Sequence, residues 1–527
     1  MVLCFPRLKR VRPGALGALG VVAVLVAACS GPGTGASSAP LLQAVPDLTR
    51  FYDQQLTWGP CVSYTQVAKD RRSFADPQFD CTRVTVPLNY FRPDSGTMEI
   101  ALLRKKAAGD KIGTLFTDPG GPGAPGTSFM AEVASTWTDI GLGDRFDLVG
   151  FDPRGTGASK PKIDCLTDRE NEETRMQTSS SDRGLAEAEE ASKQYAARCT
   201  ERTGVEVLAN IGTRDVTRDM DILRAVVGDQ KLTYVGFSYG TELGVAYAET
   251  FPQNVRALLL DGAIDPTQTT LDFTVKQNAG FQLAFDNFAK DCTTRPDCPL
   301  GTDPTQTTRR FQAIMQPLLD RAVPTKNGRT LGFSDGQAAV TSALYHSRMW
   351  SELQQGISEV VTGHGDTLMR LADSEYQRDQ QGRYADTMEA LQAIECMNRP
   401  RVTDPAQALE LARRVDQVAP FQSTGRAPTG ARDVCAFWPV PPTSVPHLPQ
   451  IEGLPPVVVV STTGDPATPY QAGVNLARQL GGSLITVNGN QHGASLQGDP
   501  CVDRLAADYL ITLTPPPQNT VCTLTPR

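Results

Sequence analysis

Short apolar runs alternate with helical patterns along the first half of the chain. Residues 82–88 and 98–104 are rich in Val, Ile, Leu and Thr and flank the turn-forming Arg92-Pro93-Asp94-Ser95-Gly96. Together they predict a β-hairpin. Residues 114–117, 146–151, 232–235 and 257–260 are further apolar or β-branched runs, each closed by Gly, Asp or Pro. Helical patterns at 217–227 and 241–250 separate several of them. Strands apolar on both faces and alternating with helices predict an α/β fold with a mostly parallel sheet covered on both sides.

The pattern changes after Pro266. Helical periodicity dominates at 273–291, 308–321, 336–345 and 385–395, with no strand signal of comparable strength. Strand character returns at 457–461 and 484–487. The reading is a sheet domain begun by residues 46–266, interrupted by a large helical lid at 267–450 and completed by residues 451–527. No internal repeat is present. Pro515-Pro516-Pro517 predicts a non-helical tail, pinned through Cys522.

Composition narrows the function classes. The 527 residues are 40% hydrophobic and 20% charged, which excludes a fibrous or wholly disordered chain. A net charge of −8 and a pI near 5.3 argue against a nucleic-acid partner. The four histidines are not clustered, no nucleotide-binding loop is present, and neither metal nor cofactor is expected.

The N-terminus carries its own signal. Arg7, Lys9, Arg10 and Arg12 precede an apolar run over 15–28 that is too short to span a bilayer comfortably. It ends Val26-Ala27-Ala28-Cys29, which resembles a bacterial lipoprotein cleavage box. The resemblance implies removal of residues 1–28, lipidation of Cys29 and export to a membrane-anchored position at the cell envelope. An ordinary secretory signal is the alternative. Residues 29–45 are small and turn-rich and read as a flexible tether. Without the leader, 46 basic residues face 58 acidic ones, a charge near −12.

Export agrees with the cysteines. Apart from Cys4 and Cys29, ten remain: Cys61, Cys81, Cys165, Cys199, Cys292, Cys298, Cys396, Cys435, Cys501 and Cys522. An even count in an oxidising compartment reads as disulfides. They fall as five sequence neighbours, and consecutive pairing is expected, although sequence alone does not fix connectivity. No CxxC is present.

The strongest chemical signal is Gly236-Phe237-Ser238-Tyr239-Gly240, between the strand at 232–235 and the helix at 241–250. A nucleophilic serine needs a sharp strand-to-helix turn, and glycines two residues either side relieve its crowding. The alternative is a glycine pair that serves packing. A base is supplied by His492, in Gly489-Asn490-Gln491-His492-Gly493 after a strand. His346, His364 and His447 fall in the helical region and suit structural or surface roles. Asp465, in Thr462-Thr463-Gly464-Asp465-Pro466, ends another strand and would orient the imidazole; capping the next helix is its alternative role. The order Ser238, Asp465, His492 is that of α/β-hydrolases. An oxyanion hole is expected from the backbone N–H groups of Tyr239 and of Gly121, in Pro119-Gly120-Gly121-Pro122-Gly123, with Gly120 the next choice. Asp152 and Arg154, in the loop after 146–151, are expected to pair with each other and support that loop.

These motifs resemble proline iminopeptidases and, more closely, secreted actinobacterial tripeptidyl aminopeptidases, a group that includes mycobacterial envelope serine proteases and carboxylesterases. The lipobox, Pro119–Gly123, Asp152–Ser159, Gly236–Gly240, Leu260-Asp261-Gly262-Ala263, Asp465-Pro466-Ala467-Thr468-Pro469 and Gln491-His492-Gly493 carry the likeness. It implies an α/β-hydrolase that cleaves short peptides from a free N-terminus, or small esters. Proline iminopeptidases often have His where this chain has Pro119, so proline specificity does not transfer. A buried substrate ammonium needs a carboxylate; Glu242, Glu395 and Asp373 are candidates. Thr468 is a candidate for contact with the catalytic loop or for turn stabilisation. The expected substrate is a peptide or small ester, acted on by a monomer. The competing classes are a carboxylesterase or lipase, and a non-catalytic peptide-binding lipoprotein.

Overall fold

The computed structural model describes residues 46–67, 70–180 and 184–525. The leader, Cys29 and the tether lie outside the described residues. Twelve strands occur in chain order among the described residues: β1 (Gly59–Pro60), β2 (Phe79–Pro87), β3 (Thr97–Lys105), β4 (Gly113–Asp118), β5 (Phe146–Phe151), β6 (Leu232–Phe237), β7 (Val255–Asp261), β8 (Val323–Pro324), β9 (Thr330–Leu331), β10 (Val458–Thr462), β11 (Ser483–Asn488) and β12 (Thr520–Thr523). Ten form one sheet in the order β1-β2-β3-β5-β4-β6-β7-β10-β11-β12. β2 and β3 make the expected antiparallel hairpin, and β3 pairs antiparallel with β5. From β5 to β12 every neighbouring pair is parallel.

The central strands are largely buried on both faces, which is why they read as mostly apolar or β-branched runs. Successive side chains point to opposite faces. Leu258, Leu260 and Val459 therefore join one apolar layer, with Val84, Ile100, Phe116 and Tyr234. Ala257, Leu259, Val458 and Val460 join the other, with Leu115, Trp137, Val235 and Tyr509.

A third apolar cluster belongs to the helical region. Helices Thr270–Cys292, Thr307–Met315, Phe333–Leu344, Trp350–Val361 and Asp366–Glu375 bury Phe285, Phe288, Phe311, Leu353 and Leu368 together. Phe285 stacks on Phe421 with ring centroids 5.0 Å apart. The small β8–β9 ladder is antiparallel. Helix Thr387–Asn398 behaves differently: its Ala390, Ala393, Ile394 and Met397 lie in the first layer of the sheet domain.

Three features escape the sequence patterns. Helices Asp168–Ser180 and Leu185–Thr203 lie between β5 and β6, and their polar composition leaves only a thin apolar stripe. The tail beyond the triple proline adds β12 to the sheet edge. Arg154 does not pair with Asp152. Its Nε donates to Asp219 Oδ2 at 2.6 Å, with further bonds to the Pro87, Leu88 and Asn210 carbonyls. Asp152 instead accepts from Thr127 N (2.9 Å) and Ala158 N (2.7 Å), holding the helix Gly126–Asp139 that follows the glycine loop. Two residues apart on an irregular loop, the two side chains diverge, and the buried cation finds its counterion on helix Thr213–Val226.

Disulfides join Cys61–Cys81, Cys165–Cys199, Cys292–Cys298, Cys396–Cys435 and Cys501–Cys522, the consecutive pairs. The last ties helix Pro500–Thr512 to the edge strand β12.

Candidate active site

Ser238 sits between β6 and helix Tyr239–Thr250 with φ 54° and ψ −121°. This left-handed conformation is costly for a non-glycine residue and persists only where its surroundings enforce it. The flanking glycines are steric necessities. A Cβ on Gly236 would collide with the Gly240 carbonyl, and one on Gly240 would lie 2.6 Å from Asp118 O. Ser238 N donates to Asp261 O at 2.9 Å, and its carbonyl accepts from Thr241 N.

The glycine loop after β4 lies directly against this turn. A Cβ on Gly120, which has φ +96°, would stand 2.5 Å from Phe237 O and 2.8 Å from Ser238 Cβ. Gly120 N donates to Asp118 Oδ1 at 2.8 Å. Gly121 N has no acceptor among the described residues, whereas Gly120 N is engaged. Asp118 is fully buried, and burial, with Asp152 nearby, pushes its pKa up to about 8.

On the other side of the elbow, Asp465 and His492 are in direct contact. His492 Nδ1 lies 2.9 Å from each Asp465 carboxylate oxygen. Asp465 also accepts from Ala467 N (2.9 Å), Thr468 N (2.8 Å) and Thr468 Oγ1 (3.0 Å). Thr468 Oγ1 is itself 3.3 Å from His492 Nδ1, so it touches both members of the pair. The Asp465 side chain is fully buried, whereas the imidazole keeps 14% exposure. Burial works to lower the His492 pKa, but the Asp465 charge and hydrogen bond, with Asp261 behind them, hold it above the ordinary value.

Asp261, the last residue of β7, joins the two halves. Its carbonyl accepts the Ser238 N–H, while its Oδ2 accepts from Ala494 N (2.7 Å), Ser495 N (2.6 Å) and Ser495 Oγ (2.7 Å) just beyond His492. Sequence reasoning gave Asp261 no role; an acid closing the apolar run 257–260 was the signal.

With a strained serine on a strand–helix turn, a free backbone donor beside it and a buried carboxylate–imidazole pair on the same rim, the chain matches the profile of the alpha/beta hydrolase fold over residues 119–499. The chain belongs to the α/β-hydrolase family. It is 45% identical over 482 residues to serine protease Hip1 of Mycobacterium tuberculosis, an alignment covering 89% of this chain and 91% of that protein. It is 40% identical to carboxylesterase B of the same organism, covering 93% and 94%. A tripeptidyl aminopeptidase of Streptomyces coelicolor is 28% identical over 95% of this chain and 94% of its own length. This α/β-hydrolase is a serine hydrolase.

The three acids considered for a substrate ammonium are already engaged in the hydrolase. Arg399 lies 2.7 Å from Glu395 and 3.5 Å from Glu242. Burial, opposed by Arg399, raises the Glu242 pKa to about 7. Asp373 lies 2.9 Å from Arg175 and 2.7 Å from Arg329. Glu375, two residues on, has no cationic partner among the described residues. It is half-buried, burial raises its pKa, and Ser342 hydrogen-bonds to it. Its charge reaches the Tyr345 hydroxyl, whose ring lies 5.4 Å from the His492 ring.

Proposed function

We propose that this hydrolase is a serine aminopeptidase that releases short N-terminal fragments, such as di- or tripeptides, through an acyl-enzyme on Ser238. The observation that carries the reading is the buried Asp465–His492 pair, tied through Asp261 to the strained serine. In this scheme Ser238 Oγ attacks the scissile carbonyl carbon while His492 Nε2 takes the hydroxyl proton. Asp465 holds the Nδ1–H tautomer and stabilises the imidazolium. The carbonyl oxygen becomes an oxyanion between Tyr239 N and Gly121 N. Collapse breaks the C–N bond as His492 returns the proton to the leaving amine. Water, activated by the same imidazole, then releases the fragment and restores Ser238.

Glu375 is the acid we assign to the substrate ammonium, since it has no cationic partner among the described residues whereas Glu242, Glu395 and Asp373 are paired with arginines. The second reading, a carboxylesterase on the same machinery, draws support from the 40% identity to carboxylesterase B. N-terminal acetylation of a peptide reporter separates the two. An aminopeptidase loses turnover on the blocked peptide, and equal rates on free and blocked peptides defeat the reading. Fluorophosphonate labelling that persists in Ser238→Ala would remove the nucleophile assignment.

Export as a lipoprotein anchored through Cys29 completes the proposal. Five disulfides support an oxidising compartment. Incorporation of an alkyne fatty acid by the wild type, lost in Cys29→Ala, is the expected result.

A further inference from the structure

The helical insertion is bonded to the histidine loop through the loop's own backbone. His492 N donates to Tyr345 O at 2.8 Å, and Ser347 N donates to Asn490 O at 3.1 Å. His346 and Gln491 form an antiparallel bridge between these two bonds. The Tyr345 ring meets the His492 ring edge-to-face, with an interplanar angle of 79°. Asn287 Nδ2, on helix Thr270–Cys292, adds a bond to Asn490 Oδ1 at 2.8 Å.

The loop needs such support. Gly489-Asn490-Gln491-His492-Gly493 has glycine at both ends and Asn within it, so its own backbone preferences fix little. The sheet domain grips residues 494 and 495 through Asp261. Asp465 and Thr468 fix the Nδ1 end of the imidazole, and Gly262 lies against the same edge of the ring. The backbone of residues 490–492 is held from the insertion.

We infer that Tyr345 is a positioning residue for the general base. It holds His492 at the reactive angle from the side of the helical insertion, through its carbonyl and the edge contact of its ring. The inference rests on the role proposed for His492. A base is productive only within a narrow geometry, and a displacement of about 1 Å can cost about 10²-fold in rate. The groups facing the imidazole are Asp465 from the acid loop, Asp261 from β7, and Tyr345 and His346 from the insertion. Tyr345 bears no charge at neutral pH, since burial and the charges of Glu375 and Asp465 push its hydroxyl pKa up. Its ring excludes water from His492, which disfavours the imidazolium. Removing the ring is expected to move the His492 pKa upward.

The test uses the full chain and a peptide reporter with a free N-terminus. Tyr345→Ala lowers kcat roughly 10- to 100-fold with KM within about twofold, and shifts the acid limb of kcat/KM to higher pH. Tyr345→Phe restores both kcat and the limb, because the ring and carbonyl remain. Ser347→Pro keeps the ring but deletes the N–H that meets Asn490. Proline suits this first position of the short helix Ser347–Met349, and His346 is already extended at φ −145° and ψ 129°. Ser347→Pro lowers kcat about 3- to 10-fold, and it decides the matter if Tyr345→Ala does not fold. Wild-type kcat and an unmoved pH limb in whichever of these variants folds overturn the inference. So does damage in Tyr345→Phe equal to that in Tyr345→Ala. A fully active His492→Ala would instead overturn the reading beneath it.

Discussion

Ser238 and His492 both follow the carboxyl end of a parallel strand, yet they are held by different means. Ser238 is fixed by main chain belonging to the sheet domain. β6 and the helix Tyr239–Thr250 force the turn, and Gly120 packs against it at van der Waals limits. No side chain longer than hydrogen fits at Gly236, Gly240 or Gly120 without displacing backbone. His492 is held from two sides. Asp261 holds its loop from the sheet, Tyr345 and Ser347 hold it from the insertion, and Asp465 holds the ring. The acid loop is shared in the same way: Gln277 donates to Ala467 O at 3.1 Å, and Gly280 lets the first insertion helix lie on Pro466. The proposed nucleophile is thus set by local sterics, and the proposed base by long-range assembly. Local sterics leave strong marks in a sequence; assembly leaves few.

The contrast can be broken or sharpened by substitution. The largest effect is expected for Asp465→Asn, which keeps the volume but presents the wrong hydrogen-bonding partner to Nδ1. It should lower kcat about 10⁴-fold. It should also move the acid limb of kcat/KM downward, because the Asp465 charge is what raises the His492 pKa. The sign follows from the protonation state. The base works when neutral, so activity falls as pH drops through its pKa, and a lower pKa extends activity to more acidic conditions. A limb that stays in place would mean the pair is not the titrating unit.

Next comes Arg154→Leu, which leaves the rim untouched but strands the buried Asp219 carboxylate. Breaking a buried pair costs about 3–5 kcal/mol. Thermal or denaturant unfolding should show that loss with kcat on the remaining folded protein unchanged. Gly120→Ala should strike both readouts. Displacing the loop from Ser238 removes Gly121 N from the proposed oxyanion position, which costs about 10²–10³-fold in kcat, and an Ala Cβ at φ +96°, 2.5 Å from Phe237 O, lowers the midpoint of unfolding as well. The smallest effect is expected for Gln277→Ala. One lost hydrogen bond between insertion and acid loop costs about 1 kcal/mol of stability, with kcat reduced less than about tenfold. If Gln277→Ala is as damaging as Gly120→Ala, the acid loop depends on the insertion more heavily than its contacts imply.

The same contrast explains what could be read from the chain. The sheet was legible because β4 to β7 and β10 are largely buried on both faces, so their runs are mostly apolar or β-branched. The serine turn, the glycine loop and the loops of Asp465 and His492 were legible because each punctuates a strand end with Gly, Asp or Pro. Helices Asp168–Ser180 and Leu185–Thr203 were not, since little of their surface is buried. Arg154 was assigned the wrong partner because a neighbour in sequence is visible and Asp219, on a distant helix, is not. Glu242 and Asp373 looked available because the arginines beside them come from other segments, whereas the partner of Glu395 is Arg399, four residues on. Tyr345 gave no signal: an aromatic at the end of an amphipathic helix looks like any packing residue until the histidine loop is placed against it.

The paired backbones of residues 345–347 and 490–492 set a rule for redesign. An engineer who grafts a foreign cap over the histidine loop to retarget it transplants half of a seam, and the other half stays behind in the recipient. Chimeras that exchange both stitches together should remain active enzymes, whereas those cut between them should be well-folded and slow.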